Sequence, residues 1–161
     1  MERILKRIYL SQGISLSLKI ISHVSAVICA AAYIAMLVFA YVKEPIFAVK
    51  LAVAGGVPYV AVTVFRKIIN APRPYELYSF YDKKPKERAG QSFPSRHVFS
   101  AFSIAALAYT FSIWLSLSLA LLGICIAISR VLLGMHFIRD VAAGALIGIL
   151  SGTLGIIIII L

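Results

Sequence analysis

Hydrophobic residues dominate the chain in four long stretches that contain no charged side chain. The stretches cover residues 20–42, 51–65, 98–129 and 141–161. A helix needs about 20 consecutive apolar residues to cross the hydrocarbon core of a bilayer. Because the stretches are of that order and together hold most of the chain, the pattern predicts a membrane protein rather than a soluble one.

The longest stretch, residues 98–129, is too long for one span and slightly short for two full ones. We expect a hairpin of two short helices with its turn near residues 110–116, where the interface-seeking Trp114 lies between serines. Such a hairpin returns His97 and Arg130 to the same side of the membrane.

The other spans have clearer limits. One runs over residues 20–42 and ends in a tight turn at residues 43–45. The next runs back over residues 46–65, and Lys50 within it can extend its ammonium group to the interface. The last span covers residues 140–161.

The first residues have a different pattern, because apolar and charged side chains alternate over residues 2–9 with helical spacing. This spacing is typical of a short amphipathic helix that lies on the membrane surface. The predicted fold class is therefore all-α: a polytopic transmembrane helix bundle of about five spans with an N-terminal amphipathic helix. We expect one membrane-embedded domain over residues 1–161.

Composition and charge narrow the function. Of the 161 residues 61% are hydrophobic and the net charge is +10. The basic residues lie between the spans, which argues against a nucleic-acid partner. Residues 66–97 carry eight basic and three acidic side chains, a local net charge of +5 that favours an anionic ligand. The run from Lys83 to Arg88 is explained equally well as a solvated loop attracted to lipid headgroups.

Three clusters of polar residues lie where the predicted helices meet the interface, and the hairpin places all three on one side. Ionisable residues at membrane depth are costly, and their usual role is functional. The clusters are Arg66 with Arg73 and Pro74; Pro94, Ser95, Arg96 and His97; and Ser129, Arg130, His136 and Asp140.

His136 and Asp140 are four residues apart, so at the start of a helix they lie one turn apart on one face. A carboxylate that accepts from one imidazole nitrogen leaves the other nitrogen available for attack on an electrophile. The alternative interpretation is a helix-capping Asp140 beside an interfacial His136.

The arginines suggest what the electrophile is. The planar guanidinium binds phosphate oxygens in pairs and keeps its proton, so several arginines that converge make a phosphoryl site. Arg73 lies between two prolines that restrict its backbone, and Arg130 ends the preceding helix. His97 has the chemistry to protonate a departing alkoxide.

Together these segments resemble the three-part signature of the type-2 phosphatidic acid phosphatase superfamily, which also contains soluble vanadium haloperoxidases. The family pattern reads K-x6-R-P, P-S-G-H and S-R-x5-H-x3-D. The third part matches at every defined position, from Ser129 to Asp140. In the first part Arg66 replaces the lysine, with Lys67 as an alternative substitute, and in the second Arg96 replaces the glycine.

The resemblance implies a two-step hydrolysis of a lipid phosphate. His136 attacks phosphorus to form a phosphohistidine, Asp140 steadies it, and His97 protonates the leaving oxygen and then activates water. The resemblance further implies that no metal ion or other cofactor is needed. The implied phosphate-binding residues are Arg66 or Lys67, Arg73, Ser95 and Arg130. Arg96, which replaces the family glycine, either adds a further phosphate ligand or extends toward the lipid headgroups.

The expected partners are the lipid bilayer and a membrane lipid phosphate: phosphatidate, phosphatidylglycerol phosphate or a polyprenyl diphosphate. Two other functions stay open. One is vanadate binding, as in the haloperoxidases. The other is a non-catalytic phospholipid-binding protein of the same fold, because two motif positions are substituted.

The expected location is the cell membrane, with two arguments for different catalytic faces. Outside the site residues, ten basic side chains lie on the catalytic side against Lys43 and Lys50 opposite, so the positive-inside rule favours the cytoplasm. The resemblance favours the outer face.

His23, inside the first span, is interpreted as a hydrogen-bonding partner of another helix, with substrate contact as the alternative.

Overall fold

The computed structural model describes residues 2–80 and 89–161, and the run of charge from Lys83 to Arg88 lies outside the described residues. Within the described ranges the chain forms helices and no strand, as predicted. The helices are α1 (Glu2–Leu10), α2 (Gln12–Lys43), α3 (Pro45–Ile69), α4 (Pro74–Leu77), α5 (Arg96–Ala108), α6 (Ile113–Leu132) and α7 (Ile138–Ile160).

Most of the predicted limits are confirmed, and the start of the first span is the main correction. The turn between α2 and α3 is at Glu44, where the backbone is extended and Pro45 opens the next helix. Helix α2, however, begins at Gln12, eight residues before the predicted span, because no residue breaks the helix between there and Ile20. Its 32 residues extend about 48 Å, more than the hydrocarbon thickness.

The hairpin predicted for residues 98–129 is present as α5 and α6, with its turn at residues 109–112. The Ser112 hydroxyl caps α6 by accepting from the amide of Trp114 at 3.2 Å. Helices α2, α3, α6 and α7 are long and apolar enough to cross a membrane, whereas α5 has 13 residues and is shorter. The count of five spans therefore stays a prediction.

The short helix α5 is the centre of the bundle and packs against α2, α3, α6 and α7. Its tightest neighbour is α7, which turns a row of glycines toward it. A methyl group on Gly144 would lie 2.7 Å from the carbonyl oxygen of Ser95, and one on Gly148 would lie 2.5 Å from that of Phe99. Small residues four apart are the usual means of close helix approach in membranes, and here they bring the two backbones into contact.

The outer surface of the bundle is apolar. Large side chains on α2, α3, α6 and α7 are exposed, among them Val38, Val60, Leu121 and Leu154. Without a bilayer such a surface would be unfavourable in water, so the chain is a multi-pass membrane protein. His23 belongs to this exposed surface, and its predicted role between helices is wrong.

The amphipathic helix α1 is present over Glu2–Leu10, close to the predicted residues 2–9. The helix packs against the bundle through Leu5, which is 2% exposed, whereas Ile4 and Leu10 are exposed. Leu5 lies in the wall of a cavity of about 300 Å³ that His136 also lines. The helix therefore covers part of the end of the bundle where the polar clusters lie.

Replacing Gly148 by alanine tests the contact between α5 and α7. The added methyl has to displace the backbone of Phe99, which we expect to cost about 1–3 kcal/mol of stability. Thermal unfolding in detergent, followed by Trp114 fluorescence, should show a transition roughly 3–10 °C lower for a chain of this size. The matched control is Gly56→Ala on α3, where the added methyl meets no atom within 4 Å. Equal transitions for the two variants would contradict this account.

Candidate active site

The last turn of α3 brings Arg66 under the loop that precedes α5. Arg66 is 6% exposed, and its Nη1 donates to the carbonyl oxygen of Pro94 at 2.6 Å while Nη2 donates to that of Gln91. The neighbouring Lys67 is exposed. Of the two alternatives for the family lysine, the fold places Arg66 at the site.

Arg73 enters the site from the segment between α3 and α4. It is 6% exposed, its Nε donates to the carbonyl oxygen of Gly90 at 2.9 Å, and its guanidinium lies 5.8 Å from the ring centre of Tyr75. The amide of Gly90 donates in turn to the Glu76 carboxylate at 2.6 Å. These bonds attach α4 to the start of the loop before α5.

A tight turn after α6 positions His136. Gly134 has a φ of 68°, a conformation that glycine adopts without strain. The amides of Met135 and His136 both donate to the carbonyl oxygen of Arg130, at 3.0 and 3.3 Å. Arg130 is 9% exposed, and its Nη1 contacts the Met135 sulfur at 3.1 Å. The matched motif from Ser129 to Asp140 is thus a helix end, a turn and a helix start.

Asp140 lies in the first turn of α7 and is fully buried. Its Oδ2 accepts from the amide of Phe137 at 2.9 Å, so it does cap the helix. The same oxygen accepts from the hydroxyl of Ser92 at 2.5 Å. Its backbone oxygen accepts from the amide of Ser95 at 2.9 Å. The Asp140 carboxylate therefore caps α7 and also belongs to the polar cluster, so the two interpretations of this residue do not exclude each other.

Ser92 is a site residue that the sequence did not reveal. It is fully buried, and its Oγ lies 3.3 Å from Nδ1 of His136. The direct distance from that nitrogen to Asp140 Oδ2 is 3.8 Å, which is longer than a hydrogen bond. The expected direct contact is thus replaced by a serine that donates to Asp140 and accepts from Nδ1–H. The one sequence signal was a hydroxyl two residues before Pro94.

This arrangement assigns the tautomer of His136. With Nδ1 bonded to Ser92, the lone pair is on Nε2, the nitrogen available for attack. Burial lowers the pKa of His136 below its usual 6.5, and the charges of Arg73 and Arg66 lower that pKa further, while the nearby Asp140 carboxylate opposes them. The imidazole is therefore neutral near pH 7.

Arginines form most of the buried ionisable cluster. Among the described residues, the buried arginine, histidine and carboxylate side chains are Arg66, Arg73, Arg130, His136 and Asp140. The charges of Arg66 and Arg73 act on His136, so the surroundings of that imidazole are cationic. Guanidinium groups bind phosphate oxygens in pairs and keep their proton, so this cluster suits an anionic phosphoryl group.

The remaining predicted residues lie at the start of α5. Ser95 precedes the helix, is fully buried, and its hydroxyl has no hydrogen-bond partner among the described residues. Arg96 and His97 are half-buried and line a second cavity of about 160 Å³. Within the described ranges no three His, Cys, Asp or Glu side chains are grouped as metal ligands would be.

Two curated proteins match part of the chain. The bacitracin transport permease protein BcrC of Bacillus licheniformis is 37% identical over 84 residues, which are 49% of this chain and 39% of that protein. The lipid A 1-phosphatase of Porphyromonas gingivalis is 37% identical over 82 residues, 48% of this chain and 18% of that protein. The match thus spans less than half the length of either relative.

Two crystal structures share the fold. LpxE of Aquifex aeolicus has a TM-score of 0.69 at 24% identity, with 91% of this chain and 87% of that chain covered. The transmembrane PAP2-type phosphatidylglycerolphosphate phosphatase of Bacillus subtilis has a TM-score of 0.72 at 19% identity, with 96% and 81% covered. The family model of the PAP2 superfamily matches residues 46–159, which include every predicted site residue. The chain belongs to the PAP2 superfamily.

Proposed function

We propose that this chain is a membrane lipid phosphatase that hydrolyses a phosphate monoester or a diphosphate on a lipid. The observation that carries the proposal is the chain of contacts from Asp140 through Ser92 to His136, beside three buried arginines. A nucleophile oriented by a second and a third group, next to fixed positive charge, is the arrangement that phosphoryl transfer requires.

In the first step Nε2 of His136 forms a bond to phosphorus as the bond to the leaving oxygen breaks. The positive charge that develops on the imidazole is stabilised through Ser92 and Asp140. Arg66, Arg73 and Arg130 balance the charge on the phosphoryl oxygens. His97 donates a proton to the leaving oxygen and then takes one from the water that hydrolyses the phosphohistidine.

Two relatives support a lipid substrate. The names of the Porphyromonas gingivalis and Bacillus subtilis proteins both describe removal of phosphate from a lipid. The exposed apolar surface keeps this chain in the bilayer, where the tail of such a substrate also resides. The proposal also includes two features that the family resemblance implies. The protein is located in the cell membrane, and the chain forms a single catalytic domain.

Replacing His136 by alanine should abolish turnover, because no other described side chain can take its place between Ser92 and the arginines. We expect phosphate release from lipid phosphates, with a chelator present, to fall by at least roughly 1,000-fold. Rapid quenching with a ³²P-labelled substrate should label the wild-type protein in an acid-labile, base-stable form and leave His136→Ala unlabelled.

Lys43→Ala is the control for that loss, because Lys43 lies exposed at the end of α2 away from the polar clusters and the variant should retain full activity. A folded wild-type protein that releases no phosphate and takes no label, yet binds lipid phosphates, would instead favour the non-catalytic function.

Replacing Ser92 by alanine should lower kcat by about 10- to 100-fold with little change in KM, since the imidazole loses its orienting hydroxyl but the arginines still bind the phosphoryl group. Steady-state kinetics on a detergent-solubilised lipid phosphate would measure both constants. Ser103→Ala on α5 is the matched control, because that serine is equally buried and its hydroxyl makes no hydrogen bond among the described residues. A Ser92 variant with unchanged kcat would contradict the role of this hydroxyl.

The pKa of His136 should be measurable below 6.5, because burial and the two nearby arginines oppose the charged imidazolium. NMR titration of histidine-labelled protein in detergent, assigned with His136→Asn, would give the value directly. Since the unfolded chain binds this proton more readily, the stability contributed by neutral His136 should be complete above pH 6.5 and decline as the pH falls. A measured pKa of His136 at or above 6.5 would contradict the account in which burial and the nearby arginines disfavour the imidazolium.

A further inference from the structure

We infer that Arg96 binds the phosphate group that stays on the lipid, so that the preferred substrates are lipid diphosphates. This inference rests on the proposed function and names the substrate class for the same site. It starts from Arg96, the arginine at the position where the superfamily pattern has glycine.

The side chain of Arg96 points along α3 toward the membrane interior. Its guanidinium lies 5.7 Å from the ring centre of Tyr59. Tyr59 precedes Arg66 by seven residues on α3, a distance of about 10 Å along the helix away from the loop that Arg66 holds. An arginine at an interface usually extends toward the headgroups, so the opposite direction calls for a reason.

Tyr59 alone does not supply that reason. One contact with an aromatic face replaces only part of the hydration that a guanidinium loses at membrane depth. Among residues 2–80 and 89–161, no carboxylate forms a salt bridge with Arg96. An anionic group of a ligand would complete the charge balance of Arg96.

The cavity beside Arg96 has both a polar and an apolar part. Arg96, His97 and Ser100 line it near the start of α5, whereas Ile104 and Ile126 line it further inside. Ile104 follows His97 by seven residues, so the cavity extends about 10 Å along α5. Its 160 Å³ hold only the first part of a lipid. Tyr59 in its wall is 41% exposed, so the rest of the lipid can lie in the bilayer.

This cavity lies on the side of the leaving group. Attack in line places the nucleophile and the leaving oxygen on opposite sides of phosphorus. His97, the proposed donor to the leaving oxygen, lines this cavity, whereas His136 lines the other one. A leaving alkoxide from a monoester would bring no charge to Arg96, but a leaving phosphate would.

The resulting reaction is balanced. Nε2 of His136 bonds to the terminal phosphorus while the bond from that phosphorus to the bridging oxygen breaks. The bridging oxygen keeps the electron pair, becomes part of a lipid monophosphate bound to Arg96, and takes the proton of His97. Water then hydrolyses the phosphohistidine with His97 as base and releases inorganic phosphate.

The test compares farnesyl diphosphate and farnesyl monophosphate, which share one tail, as substrates of the purified full chain in detergent. Arg96→Gly should lower kcat/KM for the diphosphate by roughly 10- to 100-fold and change that for the monophosphate less than about threefold. Arg96→Lys should recover part of the loss, because lysine keeps the charge but not the paired donors. Arg3→Ala, which removes an exposed charge from α1, is the matched control and should change neither substrate.

Equal losses on both substrates would overturn the inference by placing Arg96 on the transferred phosphate, and no loss on either would leave it a packing partner of Tyr59. Binding of farnesyl diphosphate to His136→Ala, with and without Arg96→Gly, separates this inference from the proposed function. Arg96-dependent binding to His136→Ala, together with a wild-type protein that shows no turnover, would support the inference and contradict catalysis. Wild-type turnover without Arg96-dependent binding to His136→Ala would support catalysis and overturn the inference.

Discussion

The buried carboxylate of Asp140 is the group on which the rest of the site depends. It accepts from the Ser92 hydroxyl at 2.5 Å and from the Phe137 amide at 2.9 Å, and its backbone oxygen accepts from Ser95. A buried charge is costly unless its hydrogen bonds are made. The hydrogen bonds of Oδ2 and of the backbone oxygen of Asp140 therefore connect the start of α7 with the loop before α5 and, through Ser92, with His136.

The contact between α5 and α7 makes those hydrogen bonds possible. Asp140 and Gly144 are one turn apart on α7, and the space that a side chain on Gly144 would occupy holds the carbonyl oxygen of Ser95. The bond from the Ser95 amide to Asp140 exists only because the two backbones approach this closely. The contact between α5 and α7 thus packs the two helices inside the membrane and also positions the polar residues at its surface.

The arginines have structural as well as electrostatic functions. Arg66 binds the carbonyl oxygens of Pro94 and Gln91 with separate nitrogens, and lysine, with one ammonium group, would have to serve both from a single atom. Arginine in place of lysine at this motif position is therefore compatible with hydrogen bonds that hold the loop before α5 against α3. Burial lowers the pKa of His136, and the charges of Arg73 and Arg66 lower that pKa further.

The sequence by itself determined the helical membrane class, the hairpin between His97 and Arg130 and the end of the bundle where the site lies. These properties follow from runs of apolar residues and from motif spacing, which are local in the chain. Only the tertiary structure decided that Arg66 rather than Lys67 enters the site, that Ser92 lies between His136 and Asp140, and that His23 is exposed. The physical reason is that these outcomes depend on how α2, α3, α5 and α7 rotate and pack. Side-chain direction across helices is not encoded in the spacing along one of them.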